Sequence, residues 1–312
     1  MRLTSAWVMC CWALIFANPA TAAVAGMVVD GVKMPVWVER GATRLPAAPG
    51  MALNNGDGIV TGKGARILLK TADGALVKLG ENARMTISGL DSQPSAHFKA
   101  ALNVAKGAFR FTAGILAKLR SREVTVKVAN ATIGVRGTDV WGKAGGNMSA
   151  AVLEKAIGTH PGAQNANEKI DFDVVCLIEG KIEVAYGPGE AFVMDQPQTV
   201  YVMPREATPL PVSPLASEQL GIWAAETEIA AGQGAARSDG KWKVNLLVAA
   251  NAPDALAHYD ELRSAGYPAR ILPLPDDQYQ LRITQLPSRA EATALAQELT
   301  GKMGIVAPTV SR

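Results

Sequence analysis

Two runs, KWKVNLLVAA at 241–250 and QYQLRITQL at 278–286, carry a period of two. In the first, Trp242, Val244, Leu246 and Val248 share one face and Lys243, Asn245 and Leu247 the other. In the second, Tyr279, Leu281 and Ile283 oppose Gln280, Arg282 and Thr284. Alternation of this kind predicts strands covered on one side only. Between them the spacing turns helical. Asn251 is placed to cap, Pro253 lies in the first turn, Ala255, Leu256, Tyr259 and Leu262 recur at helical intervals, and Gly266 ends the helix. A strand over Pro268–Leu274 follows, and Pro275, Asp276 and Asp277 supply turn chemistry. Ser288 and Glu291 predict a capping box that opens a second helix through Ala292, Leu295, Ala296 and Leu299, and Gly304–Val310 predicts a closing strand. Residues 241–312 therefore read as a small α+β domain of order βαββαβ, with both helices on one face of the sheet. The bare face holds the candidate binding residues Lys243, Asn245, Leu247, Gln280, Arg282 and Thr284.

Working outward, residues 27–203 alternate in short runs and nearly lack helical spacing. Val36–Glu39, Arg66–Lys70, Ala75–Leu79, Arg84–Ile87, Ala108–Phe111, Val124–Val128, Val174–Ile178, Ile182–Ala185 and Thr199–Val202 read as strands separated by Gly-rich turns. That pattern predicts an all-β sandwich or roll. Ala96–Lys106 suits either a strand or a short helix, and the polar stretch between Gly142 and Asp171 reads as a mobile loop. Residues 204–240 read as a linker. Pro209, Pro211 and Pro214 precede a helix over Ala216–Ala230, whose Leu220, Trp223 and Ala224 form a stripe expected to pack back on the preceding domain. Ala231–Gly240 reads as a flexible spacer.

The N-terminus predicts export. Arg2, the apolar run Ala6–Ala17, Pro19 and the small residues Ala20, Thr21 and Ala22 compose a signal peptide over 1–22, which places the mature chain in the periplasm. The apolar run is shorter than the roughly 20 residues of a membrane helix, so no stable transmembrane segment is expected after cleavage. Met9 precedes Cys10 where a lipoprotein signal needs a small residue. Cys10 and Cys11 leave with the signal, and Cys176, alone in the apolar run 174–178, reads as a buried small hydrophobe. With 31 basic and 28 acidic side chains, the net charge of +3 argues against a nucleic-acid partner. Nor is catalysis indicated. His97, His160 and His258 are scattered, the pairs Asp171/Asp173 and Glu179/Glu183 read as solvated strand faces, and no nucleophile elbow or zinc helix is present. No metal or cofactor is expected.

Two resemblances sharpen these expectations. Trp242 to Leu246, the strand Tyr279–Ile283, and Leu286 to Ala292 resemble the SPOR family, whose members bind peptidoglycan glycan strands stripped of their stem peptides across the open sheet face. Asn245 stands where the family often has Gln, Gln280 where Arg is common, and Thr284 and Gln285 replace Gly-Pro. The run Ala131 to Trp141, with Gly56 to Gly62, Gly107 to Phe111 and Ile178 to Val184 in family order, resembles FecR-type periplasmic domains. Within it Gly134, Arg136, Gly137, Thr138, Asp139 and Trp141 are expected to form a fold-organising corner. The two glycines would take conformations closed to other residues, and Arg136 would lock Asp139 or nearby carbonyls. Only Met1 to Ser5 precede the apolar run, too little to hold a sigma factor as the family's iron-signalling members do. The resemblances imply a non-catalytic envelope protein that docks on wall glycan at division or remodelling sites, while its FecR-like domain contacts or senses an envelope protein. The alternative is a soluble FecR-type sensing or scaffold protein with a degenerate terminal module.

Overall fold

The computed structural model describes residues 26–91, 97–114, 121–135, 137–159, 161 and 163–312. Residues 1–22, expected to be a signal peptide, and Arg136 and His160 lie outside them. Strands run in order β1 (Met27–Lys33), β2 (Val36–Arg40), β3 (Thr43–Pro46), β4 (Ala52–Leu53), β5 (Gly58–Thr61), β6 (Arg66–Thr71), β7 (Leu76–Leu79), β8 (Arg84–Leu90), β9 (His97–Thr112), β10 (Ser121–Val128), β11 (Ala131–Val135) and β12 (Asp139–Ser149). Helix α1 (Ala150–Ile157) precedes β13 (Lys169–Glu179), β14 (Ile182–Tyr186), β15 (Phe192–Met194), β16 (Thr199–Pro204) and β17 (Ser213–Pro214). Helix α2 (Ser217–Ala225) and β18 (Ala236–Arg237) follow.

These strands form two packed sheets that share β9. One sheet runs β18-β1-β6-β7-β9-β12-β13-β16-β17, with β4 also on β1. The other runs β3-β2-β5-β8-β9-β10-β11-β14-β15. The N-terminal part of β9 pairs with β8 and β10, and its last residues pair with β7 and β12. The change of sheet falls at Gly107, whose φ is +87° and where a Cβ would lie 2.5 Å from that of Ala83. A glycine is required there, because the backbone turns through a region costly for other residues against a neighbour that leaves no room. The ambiguous stretch 96–106 is thus strand from His97 onward. Its apolar Phe98, Leu102 and Val104 face the inner core beside Ile87, Val126 and Ile133.

A second apolar layer lies on the outer face of the β9-β12-β13-β16 sheet. Trp141, Phe172, Val174, Cys176, Val200 and Val202 are covered there by Leu153, Ala156 and Ile157 of α1 and by Trp223 of α2. Burial on both faces explains why 174–177 is a continuous apolar run and not an alternating one. It also corrects the expectation of a mobile loop after Gly142. Strand β12 continues to Ser149, α1 packs its apolar side inward, and the chain returns as β13. Most polar residues of the stretch follow α1, whose own polar residues are Glu154 and Lys155. The helix predicted over Ala216–Ala230 is shorter, Ser217–Ala225, and it packs back as its stripe predicts.

The final module holds β19 (Trp242–Ala249), α3 (Ala252–Ser264), β20 (Arg270–Pro273), β21 (Tyr279–Leu286), α4 (Arg289–Leu299) and β22 (Thr309–Ser311), with strand order β20-β21-β19-β22. Asn251 caps α3 by accepting from the Asp254 N–H at 2.9 Å. Asp276 and Asp277 adopt φ of 58° and 55° in the hairpin, a conformation Asp tolerates. Ala255 and Leu262 of α3 and Ala292, Leu295 and Leu299 of α4 bury one sheet face, whereas Leu256 is exposed. The closing strand is shorter than Gly304–Val310. Met303 and Gly304 turn at positive φ, and Pro308 has no N–H for a ladder.

Candidate functional site

The uncovered face of the β20-β21-β19-β22 sheet is the larger candidate. Strand register sets Arg270, Arg282, Asn245 and Thr309 in one row across the four strands, and Leu272, Gln280 and Val248 in the next. Directly opposed residues in an antiparallel pair share a face, so Arg270 and Arg282 stand side by side. Two like charges in register repel unless something anionic lies between them. The Arg282 Nε is removed from solvent and has no hydrogen-bond partner among the described residues. Asn245 Nδ2 donates to Thr309 Oγ1 and to Ser311 Oγ, both at 3.3 Å, which fixes the amide in the plane of this face.

Not every residue expected on the face is there. A β-bulge between Asn245 and Leu247 inserts one residue and reverses the alternation behind it. Leu247 is consequently opposite the fully buried Leu281 and packs into the core. Val248, expected inside, is opposite Gln280 and 51% exposed. Lys243 pairs with Ser311 and is half-buried, as is Thr284. Gln285 follows with φ of 66°, which a proline could not adopt, so the replacement of Gly-Pro changes the path of the backbone at this end of β21. Arg270, Leu272 and Val248 were not among the expected face residues. Counting back through the Pro275–Asp277 hairpin would have placed Arg270 opposite Arg282, whereas nothing in the sequence announces the bulge.

The second candidate is the corner following β11. Gly137 turns at φ of 66°, and Gly180 packs so closely that a Cβ there would lie 2.7 Å from Thr138 Cγ2. Gly134 does not need a special conformation: it lies within β11 opposite Glu183, with ordinary room for a Cβ. Asp139 is held by Arg110, with Nε donating to Oδ1 at 2.9 Å and a terminal nitrogen to Oδ2 at 2.7 Å; Thr112 adds a longer bond of 3.3 Å. The hydrogen bond to Asp139 raises the Arg110 pKa above its usual value against the opposing effect of burial. The partner of the Asp139 carboxylate is therefore the arginine of the Gly107–Phe111 motif, and both its oxygens are occupied. Arg110 also reaches Glu228 at 3.0 Å, Lys78 meets the same oxygen at 2.5 Å, and Lys143 pairs with Glu226 at 2.8 Å. Trp141 is fully buried and stacks on Trp223, with centroids 4.9 Å apart and planes 10° from parallel. The corner thus ties the segment after α2 to the sheet, and its charged groups are satisfied by one another. The earlier motif residue Asp57 behaves likewise, accepting two hydrogen bonds from Arg40 at 2.9 and 2.6 Å.

Burial pushes the Cys176 thiol up to about 12, with Asp139 adding to the effect and Arg110 opposing it. The thiolate is the reactive form. At about pH 8, close to the free-thiol value, the native protein is expected to resist a disulfide reagent that labels the guanidinium-unfolded chain fully. Labelling of the native chain at a free-thiol rate would show that the outer layer is open. Asp173, also paired by parity with Asp171, accepts from the Gly145 N–H and meets Arg205 at 3.2 Å, both structural contacts. Among the described residues no cluster of His, Cys, Asp and Glu is suited to a metal ion, and no helix is long and apolar enough to cross a membrane.

The profile of the FecR protein family matches residues 57–157, and that of the SPOR domain matches residues 238–312. Both are non-catalytic domain families. Two crystal structures of a candidate anti-sigma factor from Parabacteroides distasonis are similar at 14% identity with a TM-score of 0.36. One alignment covers 67% of this chain and 75% of that one, the other 77% and 91%. No curated protein matches the chain.

Proposed function

We propose, from the premise that this chain carries a FecR domain and a SPOR domain, that it is a non-catalytic envelope protein whose open sheet face binds stem-free glycan strands, at sites of division or remodelling, while the FecR domain contacts another envelope protein. SPOR domains bind peptidoglycan, and the two families suggest an envelope location. The observation that supports the finer reading is the Arg270/Arg282 pair, with the Arg282 Nε unpartnered.

The chemistry follows from what stem removal leaves behind. Each muramic residue carries a lactyl group whose carboxyl is tied up as an amide while the peptide is attached. Hydrolysis of that amide frees a carboxylate on every second sugar. Two guanidinium groups on adjacent strands match such an anion, because their planar forks bond carboxylates bidentately. Gln280, Asn245 and Thr309 offer amide and hydroxyl groups to sugar hydroxyls and acetamides. Exposed Val248 and half-buried Leu272 offer apolar contact to the C–H face of a pyranose ring. An intact stem would both cap the carboxylate and crowd the face.

The mature chain is expected to sediment with amidase-treated sacculi and to remain in the supernatant with untreated ones. Equal partition into both pellets would remove the carboxylate from the recognition. Failure to sediment with either would leave the FecR domain as the acting part.

A further inference from the structure

We infer that the FecR and SPOR domains of this chain form one rigid body, locked by the carboxylate of Glu291 in a cradle of linker amides, so that a wall-bound SPOR domain holds the FecR domain at a fixed angle.

The residues of the joint are those expected to be a flexible spacer and half of a capping box. Ser288 does cap α4, accepting from the Glu291 N–H at 3.2 Å. The Glu291 side chain, however, turns away from the helix start. Its Oε1 accepts from the Gly232 N–H at 2.5 Å, and its Oε2 from the Gly234 and Ala235 N–H groups at 2.5 and 2.9 Å. Gly232 and Gly234 have φ of 77° and 78°, which turns successive N–H groups toward one point and makes a concave anion site from backbone alone. Glu291 is 6% exposed and lies in the first turn of α4, where the helix dipole also favours a negative charge. Gly234 suits no other residue well, since its φ is positive and a Cβ would sit in a tight contact 3.1 Å from the Leu295 N. The glycines serve a fitted joint and not freedom of movement.

Contacts on either side of the cradle extend the joint. Downstream, β18 pairs with β1 of the FecR part, and the Ser238 N–H donates to the Asp30 carbonyl at 3.0 Å. Gly240 then runs so close to Gln285 that a Cβ would lie 2.2 Å from its carbonyl carbon. On the α3 side, Trp37 Nε1 donates to the Ser264 carbonyl at 3.1 Å, and Gly266 abuts Pro35 and the Trp37 ring. Arg44 lies over the same indole at 4.0 Å. Residues of both domains belong to one continuous buried core. These contacts fall on the helix layer of the SPOR domain and on the linker, away from the open face.

Glu291→Gln keeps the size of the side chain, but its amide nitrogen faces donors. Glu291→Ala removes the acceptor. Both are expected to speed proteolytic cleavage within 231–240 by about ten-fold or more, the effect of losing one charge-assisted hydrogen bond of the three, with helix content retained by circular dichroism. Gly234→Ala, which acts by crowding Leu295, is expected to do the same and covers the case in which a Glu291 variant does not fold. The wild-type mature chain is expected to tumble as a single particle, with equal rotational correlation times for amides of both domains. Separate correlation times in the wild type, or cleavage of a folded Glu291→Gln protein at the wild-type rate, would overturn the inference.

Discussion

Arg282→Glu is expected to weaken sedimentation with amidase-treated sacculi by about 100-fold, because a hydrogen bond to a charged group contributes about 1.5–3 kcal/mol and reversal adds repulsion of the lactyl carboxylate. The substitution places a carboxylate in the row that Arg270 and Asn245 share. Since Arg282 is partly buried, the more exposed Arg270→Glu is the second arm, expected to act in the same direction without touching the core. Lys302→Glu, on the helix side beyond α4, changes net charge identically and is expected to leave binding unchanged. If all three variants bind as the wild type does, the ligand does not lie on this face. If all three weaken binding alike, the attraction is a net-charge effect and not a site.

Trp223→Ala is expected to destabilise the FecR part by about 3–5 kcal/mol, the usual range for deleting a buried large aromatic side chain. Over a domain of this size that corresponds to a fall in Tm on the order of 10 °C. Trp223 is the one buried residue of α2, and it covers Trp141, so its loss opens the outer layer. Trp223→Phe is expected to restore most of the difference. The Cys176 thiol reports the same event independently, since it belongs to the same layer and is expected to become reactive in the alanine variant. A fall of less than about 1 kcal/mol, the median effect of any substitution, would mean that the linker helix lies on the domain without stabilising it.

The elements easiest to read from sequence were those whose burial is one-sided. Strand β21 alternates without interruption through Ile283, and α4 announces itself by Ser288 and the Ala292, Leu295, Leu299 stripe. Where burial is two-sided or pairing is distant, local pattern carries less. The outer layer on β13 turns alternation into a run, and α1, eight residues long and followed by a polar stretch, is lost in what resembles a loop. Strand β9 changes sheet at Gly107 because Ala83, far away in sequence, occupies the space a side chain would need. Register is a long-range property too. The bulge in β19 moved Leu247 inward and Val248 outward, and the pairing of Asp139 with Arg110 joins two motifs 29 residues apart. Gly232 and Gly234 show the same limit most plainly: a glycine run looks identical whether it is loose or moulded around a carboxylate.

The segment between the two domains contributes β17 and β18 to the edges of the larger sheet and α2 to its cover. A fragment ending at Met203 would therefore leave the β1 edge bare of β18, strip Trp141 of its stacking partner, and leave Arg110 and Lys78 without Glu228. Cutting at the bounds of the FecR match, 57–157, would also remove β1 from one side of β6 and β13 from one side of β12. Open ladders of that kind invite pairing between chains. Recombinant work on either domain is therefore best begun from residues 26–312 together, because the length that identifies the domain falls short of the length that closes its sheets.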